Sequence, residues 1–287
     1  DAIWVLLARG QEAGPRWLAG GQLERPLGYG VSVSTSKGVV CGGGNDATTA
    51  FAAAFLLTWN DHQQQVEQRP LPPLPQPSAY GSAAAIGDTV YVAAGTPSAS
   101  LADATPRFWS LDLSGDDASR WVWQELPAWP GPARGFGIMV AQHNGEAACV
   151  YLMSGRREGE QGEVELLQDV YEFCPPRHLE AAGRGWRRRA DLPRCVMAGT
   201  GVALGQSHLL VLGGDDGSLF GKADILRDDH PGFPAEALAY HTITDTWTPV
   251  AGMPAAPVTT TAVRLGPDPL LDPIILPTGE IRPRVRT

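Results

Sequence analysis

The sequence predicts an all-β protein, a ring of repeated antiparallel sheets of the β-propeller type. Three observations carry this expectation. Glycine (34) and proline (25) are abundant in the 287 residues, which points to many turns and few long helices. A unit of two apolar strands joined by a short polar turn and closed by glycine recurs five times. After the glycine a second strand pair follows, its outer strand opening with tryptophan and leaving through Leu-Pro.

The first unit reads Tyr29-Gly30-Val31-Ser32-Val33, a turn at Ser36-Lys37-Gly38, then Val39-Val40-Cys41-Gly42-Gly43. The second runs from Tyr80-Gly81-Ser82 through Gly87-Asp88 to Val90-Tyr91-Val92-Ala93-Ala94-Gly95. The third runs from Gly135-Phe136-Gly137 through Asn144-Gly145 to Leu152-Met153-Ser154-Gly155. The fourth runs from Met197-Ala198-Gly199 through Gly205-Gln206 to Leu210-Val211-Leu212-Gly213-Gly214. The fifth is weaker, Thr260-Thr261-Ala262-Val263 to Ile274-Ile275-Leu276-Pro277-Thr278-Gly279. Asn144-Gly145 and Gly87-Asp88 are two-residue hairpin signals between apolar runs. Small residues dominate the first strand of each unit, as expected of strands crowded round a central channel.

The outer pairs are Phe108 to Asp112 with Trp121 to Pro127, Asp169 to Phe173 with Trp186 to Pro193, and Leu238 to His241 with Thr246 to Val250. Ile3 to Leu7 with Arg16-Trp17-Leu18 reads as the outer half of a further blade whose inner strands precede Asp1. The Gln- and Pro-rich stretch from Gln63 to Pro77 reads as a connection between blades. The glycine stops fall about 50 to 65 residues apart, close to the Kelch period, and the Trp and Leu-Pro positions match the Kelch signature. The expectation is an all-β, six-bladed Kelch-type propeller lacking N-terminal strands in this fragment. Residues 1–287 form one domain of four complete blades and two partial ones.

Net charge is −9, which excludes a basic nucleic-acid-binding surface but allows an anion held by converging arginines. No stretch has the length and apolarity of a transmembrane span. The four cysteines, Cys41, Cys149, Cys174 and Cys195, form no CxxC pair; Cys41 and Cys149 sit in apolar strands and read as buried thiols, with a disulfide still open. Asp215-Asp216-Gly217 lacks an EF-hand continuation. His230 beside Asp228 and Asp229 reads as loop surface, and Arg187-Arg188-Arg189 as a strand with one solvated edge. A copper-oxidase reading finds no Tyr and Cys pairing to assign, and no cofactor or metal is expected.

Several motifs resemble the cyclically permuted mutarotase family, Kelch proteins similar to sialic acid mutarotases (N-acetylneuraminate epimerases). Pro130-Gly131-Pro132-Ala133-Arg134 resembles the family's Pro-Gly segment ending in Arg, and Gly213-Gly214 leading to Phe220 its Gly-Gly loop. Gly279-Glu280, with Pro283 three residues after the glutamate and Arg286-Thr287 from six after it, matches the family spacing. The blade order is permuted relative to the typical enzyme, which a closed ring tolerates. The resemblance implies an isomerase that interconverts the anomers of sialic acid by acid–base chemistry. Glu280 would be the acid/base and Arg286 the residue holding the substrate carboxylate, with Arg134 a further substrate-binding candidate. On spacing alone, Glu280 reads sooner as a loop carboxylate paired with Arg282 or Arg284, and Arg134 equally as a turn-capping residue. Tyr29 and Tyr80 read as core packing or as pocket lining. A non-catalytic propeller binding protein or glycan, and a mutarotase for another sugar acid, remain the alternatives. The family resemblance favours the periplasm; the residues leave location and oligomeric state open.

Overall fold

The computed structural model describes residues 2–7, 15–46, 48–93, 95–176, 185–266, 268 and 270–286. Thr287, the last residue of the matched motif, lies outside them. β1 (Ala2–Leu7) and β2 (Arg16–Gln22) form an antiparallel pair. Blade A follows as β3 (Val31–Thr35), β4 (Gly38–Gly42), β5 (Ala54–Asn60) and β6 (Gln65–Leu71). Blade B is β7 (Ser82–Ile86), β8 (Thr89–Ala93), β9 (Phe108–Asp112) and β10 (Gln124–Leu126). Blade C contains β11 (Ile138–His143) and β12 (Ala148–Met153), an inserted hairpin of β13 (Arg156–Glu158) and β14 (Val164–Leu166), then β15 (Val170–Phe173) and β16 (Trp186–Arg189). Blade D is β17 (Thr200–Leu204), β18 (His208–Leu212), β19 (Glu236–His241) and β20 (Thr246–Gly252). The chain ends with β21 (Val263–Arg264) paired to β22 (Ile274–Ile275) and β23 (Glu280–Arg282) paired to β24 (Val285–Arg286).

Blades A to D are each four-stranded antiparallel meanders. The innermost segments 30–34, 81–85, 137–141, 199–203 and 260–264 line one central cavity of about 610 Å³. That arrangement is the β-propeller the repeats predicted. Small residues such as Gly81, Ala83, Gly137 and Gly199 let five strands converge there. At Gly201 a Cβ would come within 2.5 Å of Val140 on the neighbouring blade.

The core lies between blades rather than inside one. Leu56 and Val40 of blade A pack with Val92, Trp109 and Leu111 of blade B. Phe108 and Tyr91 of blade B meet Leu152 and Phe173 of blade C. Tyr151 of blade C meets Tyr240 and Leu238 of blade D. The recurring tryptophans tie these seams. The indole N–H of Trp123 donates to Pro72 O (2.9 Å), that of Trp186 to Pro127 O (2.7 Å) and that of Trp247 to Ala190 O (2.9 Å). Each of these three tryptophans thus reaches back to the exit of the preceding blade, whereas Trp121 bonds Gly115 O within its own blade (3.0 Å).

Two expectations change. Much of the Gln63 to Pro77 stretch is not a connection: Gln65–Leu71 is the outer strand β6, and its polar alternation reflects an exposed edge. Cys149 is not a free thiol: it is joined to Cys174, because β12 and β15 pair with Val150 opposite Phe173 and so set the two cysteines face to face. Cys41 and Cys195 are free. The arginine run is β16, with Arg188 outward on Asp191 and Arg189 inward, 2.9 Å from Glu172. Among the described residues no helix is long and apolar enough to cross a membrane.

Candidate functional site

Two rings of equivalent positions define one mouth of the channel. In the first, the residue before each inner strand adopts a left-handed backbone: Tyr29 (φ 56°), Tyr80 (59°), Phe136 (58°), Ala198 (53°) and Thr259 (54°). Such conformations cost about 1–3 kcal/mol for non-glycine residues and persist only where surroundings over-determine them. Here the backbone N–H of each of the last four donates to the carbonyl of its counterpart one blade earlier, from Tyr80 to Tyr29 through to Thr259 to Ala198, at 2.8–2.9 Å.

The second ring is the residue after each glycine stop: Asn45, Thr96, Arg156, Asp215 and Glu280. Each forms an antiparallel bridge beside the first ring, with Gly28, Ala79, Gly135, Met197 and Val258 respectively. Glycine is needed just before it because the backbones nearly touch. A Cβ on Gly95 (φ +88°) would sit 2.3 Å from Ala79 O, and one on Gly155 (φ +96°) 2.6 Å from Gly135 O.

The rings are chemically lopsided. On one side Tyr29, Tyr80 and Phe136 form an aromatic arc, with centroids 4.9 Å and 4.5 Å apart along it. The adjoining second-ring residues are the neutral, buried Asn45 and Thr96. On the other side Ala198 and Thr259 are small, and the charged Arg156, Asp215 and Glu280 follow. A cavity of about 240 Å³ opens there, lined by Arg156, Asp215 and Glu280 with Phe220, His230 and Phe233. It shares Phe136 and Ala198 with a second cavity of about 360 Å³ at the channel mouth, lined by Tyr29, Tyr80, Thr259 and Arg286.

The wall carrying Phe220, His230 and Phe233 is the long insertion between β18 and β19. It is pinned to the β23–β24 hairpin by Arg282 to Asp228 (3.0 Å) and Arg284 to Asp224 (2.7 Å). Those two arginines are therefore occupied elsewhere, and the nearest cation to Glu280 is Arg286, with Nη2 3.4 Å from Glu280 Oε1. The Glu280 side chain is 24% exposed and that of Arg286 64%. Register explains the meeting: Glu280 and Arg286 are directly opposed across the hairpin.

Asp215 Oδ1 accepts the Gly217 N–H at 2.8 Å. Burial pushes its carboxyl above the usual aspartate range, with Asp216 adding to the rise and His230 and Arg156 opposing it. The Arg156 guanidinium lies over two rings, 5.0 Å from the Phe136 centroid and 4.7 Å from that of Phe220. Burial lowers its affinity for its proton, against the pull of Asp215.

The third sequence candidate is not brought here. Arg134 is 1% exposed and lines neither cavity. Its Nη1 and Nη2 grip Asp169 at 2.5 and 2.8 Å, Nη1 also donates to Ser154 O (3.0 Å), and Nε to Pro132 O (3.3 Å). Tyr29 and Tyr80 line the mouth, Tyr80 with its hydroxyl taking a hydrogen bond from Asn45 Nδ2 (3.1 Å). His230 is buried in the cavity wall instead of lying on the surface, its Nδ1 accepting from Gly232 N–H (3.1 Å). Arg156 and Asp215 were missed as a pair, yet superposing the repeats on the residue after the glycine stop places both in line with Glu280.

No family model matches the chain. The chain is similar to the N-acetylneuraminate epimerase of Haemophilus influenzae strain 86-028NP, 26% identical over 261 residues, which cover 83% of this chain and 61% of that protein. The epimerase of the same name from strain PittEE gives the same identity and coverage. That of Pasteurella multocida strain Pm70 is 28% identical over 144 residues, 50% of this chain and 33% of the relative. The chain thus spans about three fifths of the length of the first two relatives it matches. The solved structure of YjhT aligns with a TM-score of 0.71 at 13% identity, covering 99% of this chain and 86% of that one, and shares the fold. The resemblance drawn from the Gly279 to Arg286 segment therefore falls on the same group of proteins as the overall similarity.

Proposed function

We propose that this propeller is a mutarotase that interconverts the anomers of sialic acid, N-acetylneuraminate. The observation that carries the reading is the meeting of Glu280 and Arg286, 3.4 Å apart, at the channel mouth beside a cavity that also holds Asp215. The similarity to proteins named N-acetylneuraminate epimerase supports the substrate class.

Anomer exchange needs only protons moved in balance. Glu280 takes the proton of the anomeric hydroxyl while the ring oxygen receives one, the bond between the anomeric carbon and the ring oxygen breaks, and an open-chain ketone forms. Rotation presents the other carbonyl face. The liberated hydroxyl then adds back, returns its proton, and Glu280 reprotonates the new anomeric oxygen. Asp215 is the group suited to exchange the ring-oxygen proton, since its buried carboxyl holds a proton to higher pH than an ordinary aspartate. Arg286 meets the carboxylate on the anomeric carbon. Acid–base assistance of this kind is worth about 10²- to 10⁴-fold. Nothing in this sequence of steps requires a redox or group-transfer cofactor.

The test is proton NMR of α-N-acetylneuraminate freshly released by a sialidase, with and without the protein. The β anomer should appear faster in its presence. An unaccelerated exchange would remove the enzymatic reading and leave a propeller with a binding mouth.

A further inference from the structure

Arg156 stands out in the cavity because it lacks what buried arginines normally have. Among the described residues its guanidinium forms no ion pair and donates no side-chain hydrogen bond. The rings of Phe136 and Phe220 lie over it. Ring contacts of this kind steady the cation without supplying oxygen acceptors for its N–H donors. A guanidinium fork held between two rings with no anionic partner of its own fits a planar, bidentate acceptor. Asp215, close enough to be felt, does not fill that role: no atom pair of the two comes within ion-pair distance.

We infer that Arg156 is the principal ligand of the substrate carboxylate, and that Arg286 is the lesser one. The inference rests on the proposed mutarotase reading for the identity of the sugar, but the anion site stands on its own geometry. Arg286 is 64% exposed and already leans on Glu280 Oε1, so water and its neighbour compete for its donors. Arg156 is partly desolvated, which strengthens a charge-assisted bond. The overall charge of −9 makes a local cation necessary for an anionic ligand. Arg156 and Glu280 line the same cavity, so a carboxylate seated on the guanidinium brings the attached anomeric carbon towards the proposed base. Burial raises the affinity of the Asp215 carboxyl for its proton, and Asp215 makes no ion pair with Arg156, so the guanidinium donors are left to a ligand.

The test is isothermal titration of the full chain with N-acetylneuraminate and with its uncharged methyl ester, alongside the NMR exchange rate. The wild type should prefer the acid. Arg156→Met should weaken acid binding about 10- to 100-fold, leave the ester almost unchanged, and so erase the preference. Arg286→Met should cost less than Arg156→Met. Phe220→Leu, on the inserted loop, keeps the charge and should weaken acid binding about 2- to 10-fold, which preserves the test if Arg156→Met does not fold. Acid binding that depends on Arg156 without accelerated exchange would sink the mutarotase reading and keep the anion site. Equal acid binding by Arg156→Met and wild type, or a larger loss from Arg286→Met, would overturn the inference whatever the exchange rates. Binding of neither compound would overturn both.

Discussion

Blade C carries two arginines that meet opposite fates within a few ångströms of shared backbone. Arg134 precedes Gly135, and Gly135 bridges Arg156 through paired hydrogen bonds of 3.0 Å. Arg134 is sealed in, gripping Asp169 with both Nη atoms and spending its Nε on a carbonyl. Arg156 lies over Phe136 and Phe220, held apart from Asp215, its fork unspent. One Arg and Asp pair is closed and builds the blade; the other is kept open and belongs to a cavity. An arginine next to an aspartate says little about function until its donors are counted.

The contrast can be broken most sharply through stability. Arg134→Met strands Asp169 in the interior, and breaking a buried pair costs about 3–5 kcal/mol. Denaturant unfolding should show that loss, whereas Arg156→Met should lose no more than about 1–2 kcal/mol of cation–π contact. Similar losses for the two would mean that Arg156 is structural as well.

Asp215 supplies a smaller effect with a definite sign. Its folded-state carboxyl holds its proton more tightly than in the unfolded chain, chiefly through burial. The native state therefore binds more protons, and stability falls as pH rises from the ordinary aspartate pKa of 3.8 through the raised native value. Asp215→Asn cannot ionise and keeps an Oδ1 for the Gly217 N–H. It should melt higher than wild type at neutral pH, lose that advantage well below pH 3.8, and exchange anomers more slowly. A variant less stable than wild type at pH 7 would show that the carboxylate is favourably paired, contrary to the open-pair description.

Much of the ring was legible because the repeat is local. Apolar runs, hairpin turns and glycine stops mark β3–β4, β7–β8, β11–β12 and β17–β18, and the tryptophans mark seams whose indoles bond the preceding blade. Glu280 and Arg286 were picked out by the family resemblance of the Gly279 to Arg286 segment, and a short hairpin then sets them opposite one another. What escaped depends on pairing between distant segments. Asp169, the partner of Arg134, lies 35 residues away, and the facing of Cys149 and Cys174 is fixed by the register of β12 with β15. His230 sits in a long insertion whose path has no repeat to guide it, and Gln65–Leu71 looked like linker because an edge strand carries polar residues. Arg156 escaped for another reason: its meaning comes from two aromatic rings contributed by 136 and 220, one from each flank of the cavity.

The measurement that reaches the centre of this account is the anomer exchange rate of Glu280→Gln, which preserves shape but cannot take a proton. The catalysed rate should fall about 10²- to 10⁴-fold while N-acetylneuraminate still binds within a few-fold of wild type. A catalysed rate equal to that of wild type would contradict it, and would move the chemistry away from this mouth.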